Sequence, residues 1–377
     1  MNLRVLISTL LLTIVFPLWA AKKPGAPKGD CLLDTVMVVD STQQQEAPRK
    51  LGLIRRVIRG FDRLDENYIE PQHYVFQAMV MSTYRYDFYR LSSAEIHEQN
   101  LSFGSDGNLK IGPYFGWKWV FLGYTFSLNH PNFSRDKTEF DLSIYSSQIG
   151  VDLLYRRTGN DYKIREAGLG AGIDTRPLEG VTFNGMQVGI TGVNAYYIFN
   201  HGRFSYPAAF AQSTRQKISC GSWMAGLGYT RNSLKLDYDQ LKEVIEERLA
   251  PQQVVLDSGL MFRSIEYNDF SISGGYAYNW VFAPKWLFCA SGQVALGMKN
   301  VSTTVSGGEE GYSKLNFSPN LLGRFALVYN NSVWFAGLSA IIRSNTYRRS
   351  RFMTNNTFGT FDVYVGYNFG KKKKYRN

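Results

Sequence analysis

Residues 111–128 read IGPYFGWKWVFLGYTFSL. The stretch is nearly as apolar as a membrane-spanning helix, but three glycines and a proline among seven aromatics disfavour a helix. Taken at period two, Leu109, Ile111, Pro113, Phe115 and Trp117 share one face, opposite Asn108, Lys110, Gly112, Tyr114 and Gly116. The parity then flips, and Val120, Leu122, Tyr124, Phe126 and Leu128 become the apolar set. A two-residue turn at Lys118-Trp119 produces such a flip, with Trp117 and Val120 on one side. Each arm of about nine residues is long enough to cross a bilayer as a tilted strand. Lys118-Trp119 lacks the Asn-Gly chemistry of a type I′ turn, so a bulge in one long strand competes with the hairpin.

The same alternation recurs. Residues 74–89 carry it, and further strands are predicted near 139–156, 186–200, 217–231, 257–266, 270–282, 285–299, 313–329, 332–346 and 355–369. The fold class predicted is all-β: a closed antiparallel transmembrane β-barrel of about 12 strands, within a range of about 10–14, with a short N-terminal helical lead. An even count places both termini and the tight turns on the periplasmic side. The polar stretches 91–107, 129–138, 201–216, 300–312 and 347–354 then fall outside. Residues 157–184 and 232–256 become unusually long periplasmic connections. The second holds a helix over 239–249, with Leu241, Val244, Ile245 and Leu249 at helical spacing. It plugs the lumen, sits beneath the barrel, or marks an error in this topology. A soluble β-sandwich is the competing architecture; it would have to bury the large aromatic faces.

The N-terminus has the plan of a cleaved secretory signal over residues 1–20: Arg4, an apolar run from Val5 to Leu18, then Trp19-Ala20-Ala21. A flexible periplasmic lead (21–48) follows, then an amphipathic helix and lead-in segment (49–71) with Leu51, Ile54, Val57, Ile58 and Phe61 on one face and four arginines elsewhere. The barrel is placed at 72–370 and a basic tail at 371–377. Export to the outer membrane of a Gram-negative bacterium is the predicted location. With a net charge of +11, the basic tail suits anionic lipid headgroups or lipopolysaccharide as partners, or simple solvation. Nucleic acid is no partner for an exported chain. The final strand, Phe361 to Phe369, resembles the aromatic-ended signal read by the barrel assembly machinery, extended here by a lysine-rich tail.

Chemistry-bearing residues are sparse. Cys31, Cys220 and Cys289 form no C-x-x-C pair, and His73, His97, His130 and His201 have no metal-ligand spacing, so no metal or cofactor is expected. The conspicuous segment is 200–222, NHGRFSYPAAFAQSTRQKISCGS, with Asn200, Arg203, Phe204, Tyr206 and Pro207. His201 and Ser205 in it are weak catalytic candidates: a hydrolase would need them in hydrogen-bond reach, and no G-x-S-x-G elbow is present. The bland alternative is an ordered loop. Inward Arg85, Asp87, Asp141, Asp152 and Arg324 either line a polar channel or brace the lumen as ion pairs.

These residues resemble a family of Gram-negative outer-membrane β-barrels, domain of unknown function 4421. The resemblance rests on Asp65-Glu66-Asn67-Tyr68-Ile69, on KIGPYFGWKWVFLGYTF (110–126), on LLYRRTGNDYKI (153–164) after Asp152, on residues 194–222 and on the last strand. It implies an outer-membrane barrel and supplies no catalytic residues. The expectation is a structural or transport-type barrel, not an enzyme, serving small-solute passage or envelope maintenance. A lipid-modifying enzyme using the 200–222 loop, and a binding or scaffold barrel acting through outer loops or the tail, remain as alternatives.

Overall fold

The structure is a computed structural model and describes residues 64–93, 99–117, 120–128, 138–158, 162–250, 252, 254–257, 260–305, 310–348 and 352–376. The predicted signal, the predicted lead, most of the predicted amphipathic helix, His97, His130, Cys31 and Lys118-Trp119 lie outside the described residues.

In chain order the strands are β1 (Ile69–Pro71), β2 (Tyr74–Ser93), β3 (Asn100–Ser105), β4 (Asn108–Trp117), β5 (Val120–Gly123), β6 (Phe126–Ser127), β7 (Thr138–Tyr145), β8 (Ile149–Arg157), β9 (Tyr162–Gly168), β10 (Thr182–Phe183) and β11 (Met186–Ile198). Helix α1 (Tyr206–Phe210) and β12 (Thr214–Gln216) follow, then β13 (Cys220–Leu236) and helix α2 (Tyr238–Arg248). Long strands β14 (Phe262–Ala283), β15 (Trp286–Val305), β16 (Glu310–Asn330), β17 (Trp334–Arg348) and β18 (Phe352–Lys371) complete the chain.

All pairing is antiparallel. The main ladder runs β7, β8, β11, β13 through β18, then β2, which carries β3 and β4 end to end. Trp117 pairs with Val120 across the opening motif, the register of a hairpin rather than a bulge. The sheet curls. Asp141 on β7 and Arg343 on β17 are seven ladder steps apart, about 34 Å on a flat sheet at 4.8 Å per step, yet they meet at 3.5 Å.

Outward side chains form an apolar belt. On β13 they are Trp223, Ala225, Leu227 and Tyr229, and on β14 Phe270, Ile272, Tyr276, Tyr278, Trp280 and Phe282. Trp223, Leu227 and Ile272 are 67, 66 and 70% exposed, which water would not tolerate in so continuous a band. Beyond the belt the two faces exchange character without any change of register. Outward Ser264, Glu266 and Asn268 of β14 are polar, and inward Ile265 and Tyr267 are buried and apolar. Strands β11 and β13 do the same, with Val188, Ile190, Leu234 and Leu236 inward. These residues join Leu178, Phe183, Leu241, Ile245 and Leu249 in an apolar core that caps one end of the curled sheet.

Two strand assignments are corrected. Residues 139–156 are a hairpin, β7 and β8, turning at 146–148. Residues 257–266 and 270–282 are not two strands, because β14 runs unbroken through 262–283. Chain direction therefore inverts between 146 and 262. The connections 157–184 and 232–256 lie at the capped end, and α2 packs into that cap. Residues 201–216 lie at the opposite end, with the tight turns 284–285 and 331–333 and the end of β18. Part of 91–107 is strand rather than loop: β3 pairs with β2 and β9.

Between β3 and β4, beyond the belt, Asp106 meets Lys163 at 2.6 Å and Arg165 at 2.9 Å. The Lys163 hydrogen bond, helped by Arg165, holds the Asp106 carboxyl below the usual carboxylate range. A lowered folded value stabilises above the unfolded value, about 3.9, and the gain is lost as pH falls through the folded one. Amide protection of β9 is expected to be constant from about pH 5 to 8 and to decline below about pH 4, with the decline weakened in Asp106→Asn.

Candidate functional site

The end of the sheet opposite the cap is filled by residues 199–219. The backbone turns in where Phe204 N–H donates to Asn200 O at 2.8 Å, and Asn200 Nδ2 donates to Gly221 O at 2.9 Å. Ser205 caps α1, accepting from Ala208 N–H at 3.2 Å, with Pro207 in the first turn where its missing N–H costs nothing. Phe204, Ser205, Tyr206, Ala208 and Ala209 are all buried. The segment then reverses at Gln212, whose φ of 55° lies in the left-handed region. The Gln212 amide holds that conformation by donating to Tyr364 Oη at 2.9 Å and accepting from Asn330 at 3.2 Å.

Gln216 is the hub of this plug. Its Oε1 accepts from Ser205 N–H at 2.9 Å and from Asn279 Nδ2 at 3.1 Å. Its Nε2 points at Arg203 O, Ile218 O and Tyr68 O, at 2.7, 2.9 and 3.3 Å. The lead-in strand β1 pairs with β12, and Arg203 faces Asp65 at 3.6 Å and lies over Tyr68. Two of the motifs behind the family resemblance, 65–69 and 194–222, are therefore one structural unit.

Above the plug, Arg324 is fully buried and donates to Asp152, five ladder steps away. Its guanidinium lies 5.1 Å from the Tyr196 ring and 5.9 Å from the Tyr206 ring. Tyr196 lies against Gly150, where any Cβ would stand 2.1 Å from the ring. Asp152 also accepts from Ser143 at 2.7 Å and Asn194 at 3.3 Å. Nearer the cap, buried Lys299 meets Asp269 at 3.6 Å. Asp87 accepts from Tyr162 at 2.7 Å, and Arg85 is half-buried on the same face of β2.

The structure thus gathers Asp152 with Arg324, and Asp141 with Arg343. It does not join His201 to Ser205. His201 contacts Gln148 at 2.9 Å and Ile198 O at 3.2 Å, whereas the Ser205 hydroxyl is engaged by Thr214 at 2.7 Å and Ala208 N–H. Cys220 and Cys289 are free thiols. Among the described residues no cluster of His, Cys, Asp and Glu could hold a metal ion. Residues that sequence reasoning missed are Gln212, Gln216, Asn279, Gln293 and Arg343. The one signal for Asn279 and Gln293 was a lone amide on the inward parity of its strand.

A curled antiparallel sheet with an apolar outer belt and a polar lumen is the architecture of the outer-membrane β-barrel class. The chain belongs to the family described as Domain of unknown function (DUF4421), which matches residues 63–369. No curated protein matches it. Among solved structures it is similar to the outer membrane protease OmpT from Escherichia coli, at 9% identity over 79% of this chain and 97% of that one, with a TM-score of 0.36. It is also similar to the translocator domain of the autotransporter NalP from Neisseria meningitidis, at 9% identity, 84 and 93% coverage and a TM-score of 0.33. A third similarity is to the toluene transporter TodX from P. putida, at 10% identity, 79 and 91% coverage and a TM-score of 0.25.

Proposed function

We propose that the chain is a closed outer-membrane barrel, occluded at rest, with a structural or binding role in the envelope rather than that of an open diffusion pore. Twelve staves follow if β3 with β4, and β5 with β6, each count as one and the free edges formed by β6 and β7 meet. The end with the plug, the tight turns and the C-terminal strand end is then periplasmic, and the capped end faces out. One observation carries the occlusion: Tyr206 of the plug bonds Ser291 of β15 at 2.5 Å and packs against Tyr145 of β7, five ladder steps away, so it bridges the space between the walls. The belt carries the location. Basic residues 371–374 flank the periplasmic rim, where anionic headgroups are the partners of matching charge, and the last strand is offered to the assembly machinery.

In planar bilayers the purified protein is expected to show no sustained conductance; a steady open-channel current overturns the occluded reading. Leu227→Lys, on the outward face of β13 within the belt, is expected to cost about 2–4 kcal/mol if that face meets lipid. The measurement is unfolding in lipid vesicles. Serine at the same place should cost much less, and equal effects of the two would sink the lipid-facing assignment.

A further inference from the structure

Between plug and cap, one wall of the lumen is hollowed. Ser273 and Ala295 adjoin on one level of β14 and β15, and Gly228 and Ser271 on the next level of β13 and β14. A cavity of about 100 Å³ opens there, with Asp152, Arg343 and Phe358 also lining it. Small residues alone specify no ligand; the polar atoms around them do. Gln293 and Ser273 are each more than nine-tenths buried, both line the cavity, and neither Gln293 Oε1 nor Ser273 Oγ has a protein partner. Gln293 Nε2 is turned to Met224 Sδ at 3.6 Å, which leaves the carbonyl free. Arg343 uses Nη1 on Asp141 and keeps Nη2 unpaired. Buried polar atoms without partners are costly, and three of them bound one space.

We propose that this chamber binds one small neutral polyol or amide. Asp152 is neutralised by Arg324, and Arg343 by Asp141, so a net ion would enter without a counter-charge. The free atoms offer an acceptor at Gln293, a charged donor at Arg343 and a hydroxyl of either sense at Ser273. A cavity of about 150 Å³ accepts benzene, so about four to six non-hydrogen atoms fit here. The proposal rests on the occluded-barrel reading, which makes the chamber a sequestered site.

The test is equilibrium dialysis of the full chain in detergent against radiolabelled ethylene glycol. Saturable binding of one equivalent at about 10 mM or tighter is expected. Ala295→Leu, which fills the cavity from an inward Cβ, abolishes it while heat-modifiable gel mobility shows the fold retained. Gln293→Met weakens it by about tenfold through loss of the acceptor. Absence of saturable binding to the wild type, or binding unchanged in Ala295→Leu, overturns the proposal. So does a crystal structure in which ordered water alone meets the three free atoms and ethylene glycol does not displace it. Membrane fractionation and conductance test the barrel reading separately, so the two failures are distinguishable.

Discussion

Asp152→Leu is expected to destabilise the protein by about 3–5 kcal/mol, because it leaves Arg324 charged and wholly buried in the lumen. Tyr196 and Tyr206 offer the guanidinium their ring faces, which compensates only part of that cost. Arg324→Met should be comparably damaging, since Asp152 would keep only the Ser143 and Asn194 hydrogen bonds and the more distant charge of Arg343. The double variant Asp152→Leu/Arg324→Met removes both charges at once and is expected to recover most of the loss. Urea unfolding in lipid vesicles, followed by gel mobility, measures the cycle. If the single losses simply add in the double variant, the two charges do not brace each other across the barrel.

The inward parity of both residues was readable from the sequence, since each lies opposite the apolar set of its strand. Their meeting was not. Residues 172 positions apart are brought together only by the curl of the sheet, and period two carries no information about curl. Parity was also the source of the topological errors. Three flips in the apolar set bear on the strand assignments, for two physical reasons. At 117–120 it marks a hairpin, as expected. Between outward Phe140, Leu142 and Ile144 and outward Val151, Leu153 and Tyr155 it also marks a hairpin, and the unbroken strand assigned to 139–156 hid it. Between Tyr267 and Phe270 it marks no turn at all. There β14 leaves the belt, and the apolar side moves from the outside to the inside of one continuous strand. The missed hairpin and the split strand together invert the chain direction between 146 and 262 and send the 200–222 segment to the wrong end.

That segment drew notice for its polarity and for His201 and Ser205, yet what it does depends on a residue with no catalytic chemistry. Among the described residues, Gln216 is the single side chain that ties plug to plug, plug to β14 and plug to the lead-in segment. Its bonds satisfy backbone groups turned away from both water and the barrel wall, and no local pattern announces such a partner.

Gln216→Leu is therefore expected to loosen the plug without dismantling the barrel. Ser205 N–H and the carbonyls of Arg203 and Ile218 lose their amide partner, and each buried loss costs about 1–3 kcal/mol. A net cost of about 2–4 kcal/mol falls on the plug, because apart from the Asn279 side chain the β13–β18 ladder takes no part in these bonds. Cys289 reports the change. Its thiol is fully buried against Ala208 and Ala209 of the plug, so a maleimide reaches it only when the plug moves. In a background carrying Cys31→Ser and Cys220→Ser, labelling of Cys289 should accelerate by about 30-fold or more, following the opening free energy. Bilayer conductance should stay absent if the apolar cap built on Leu241, Ile245 and Phe183 closes the other end independently. Cys289 labelling unchanged in Gln216→Leu would show that the amide does not hold the plug. Faster labelling together with a steady current would show that the plug alone closes the lumen.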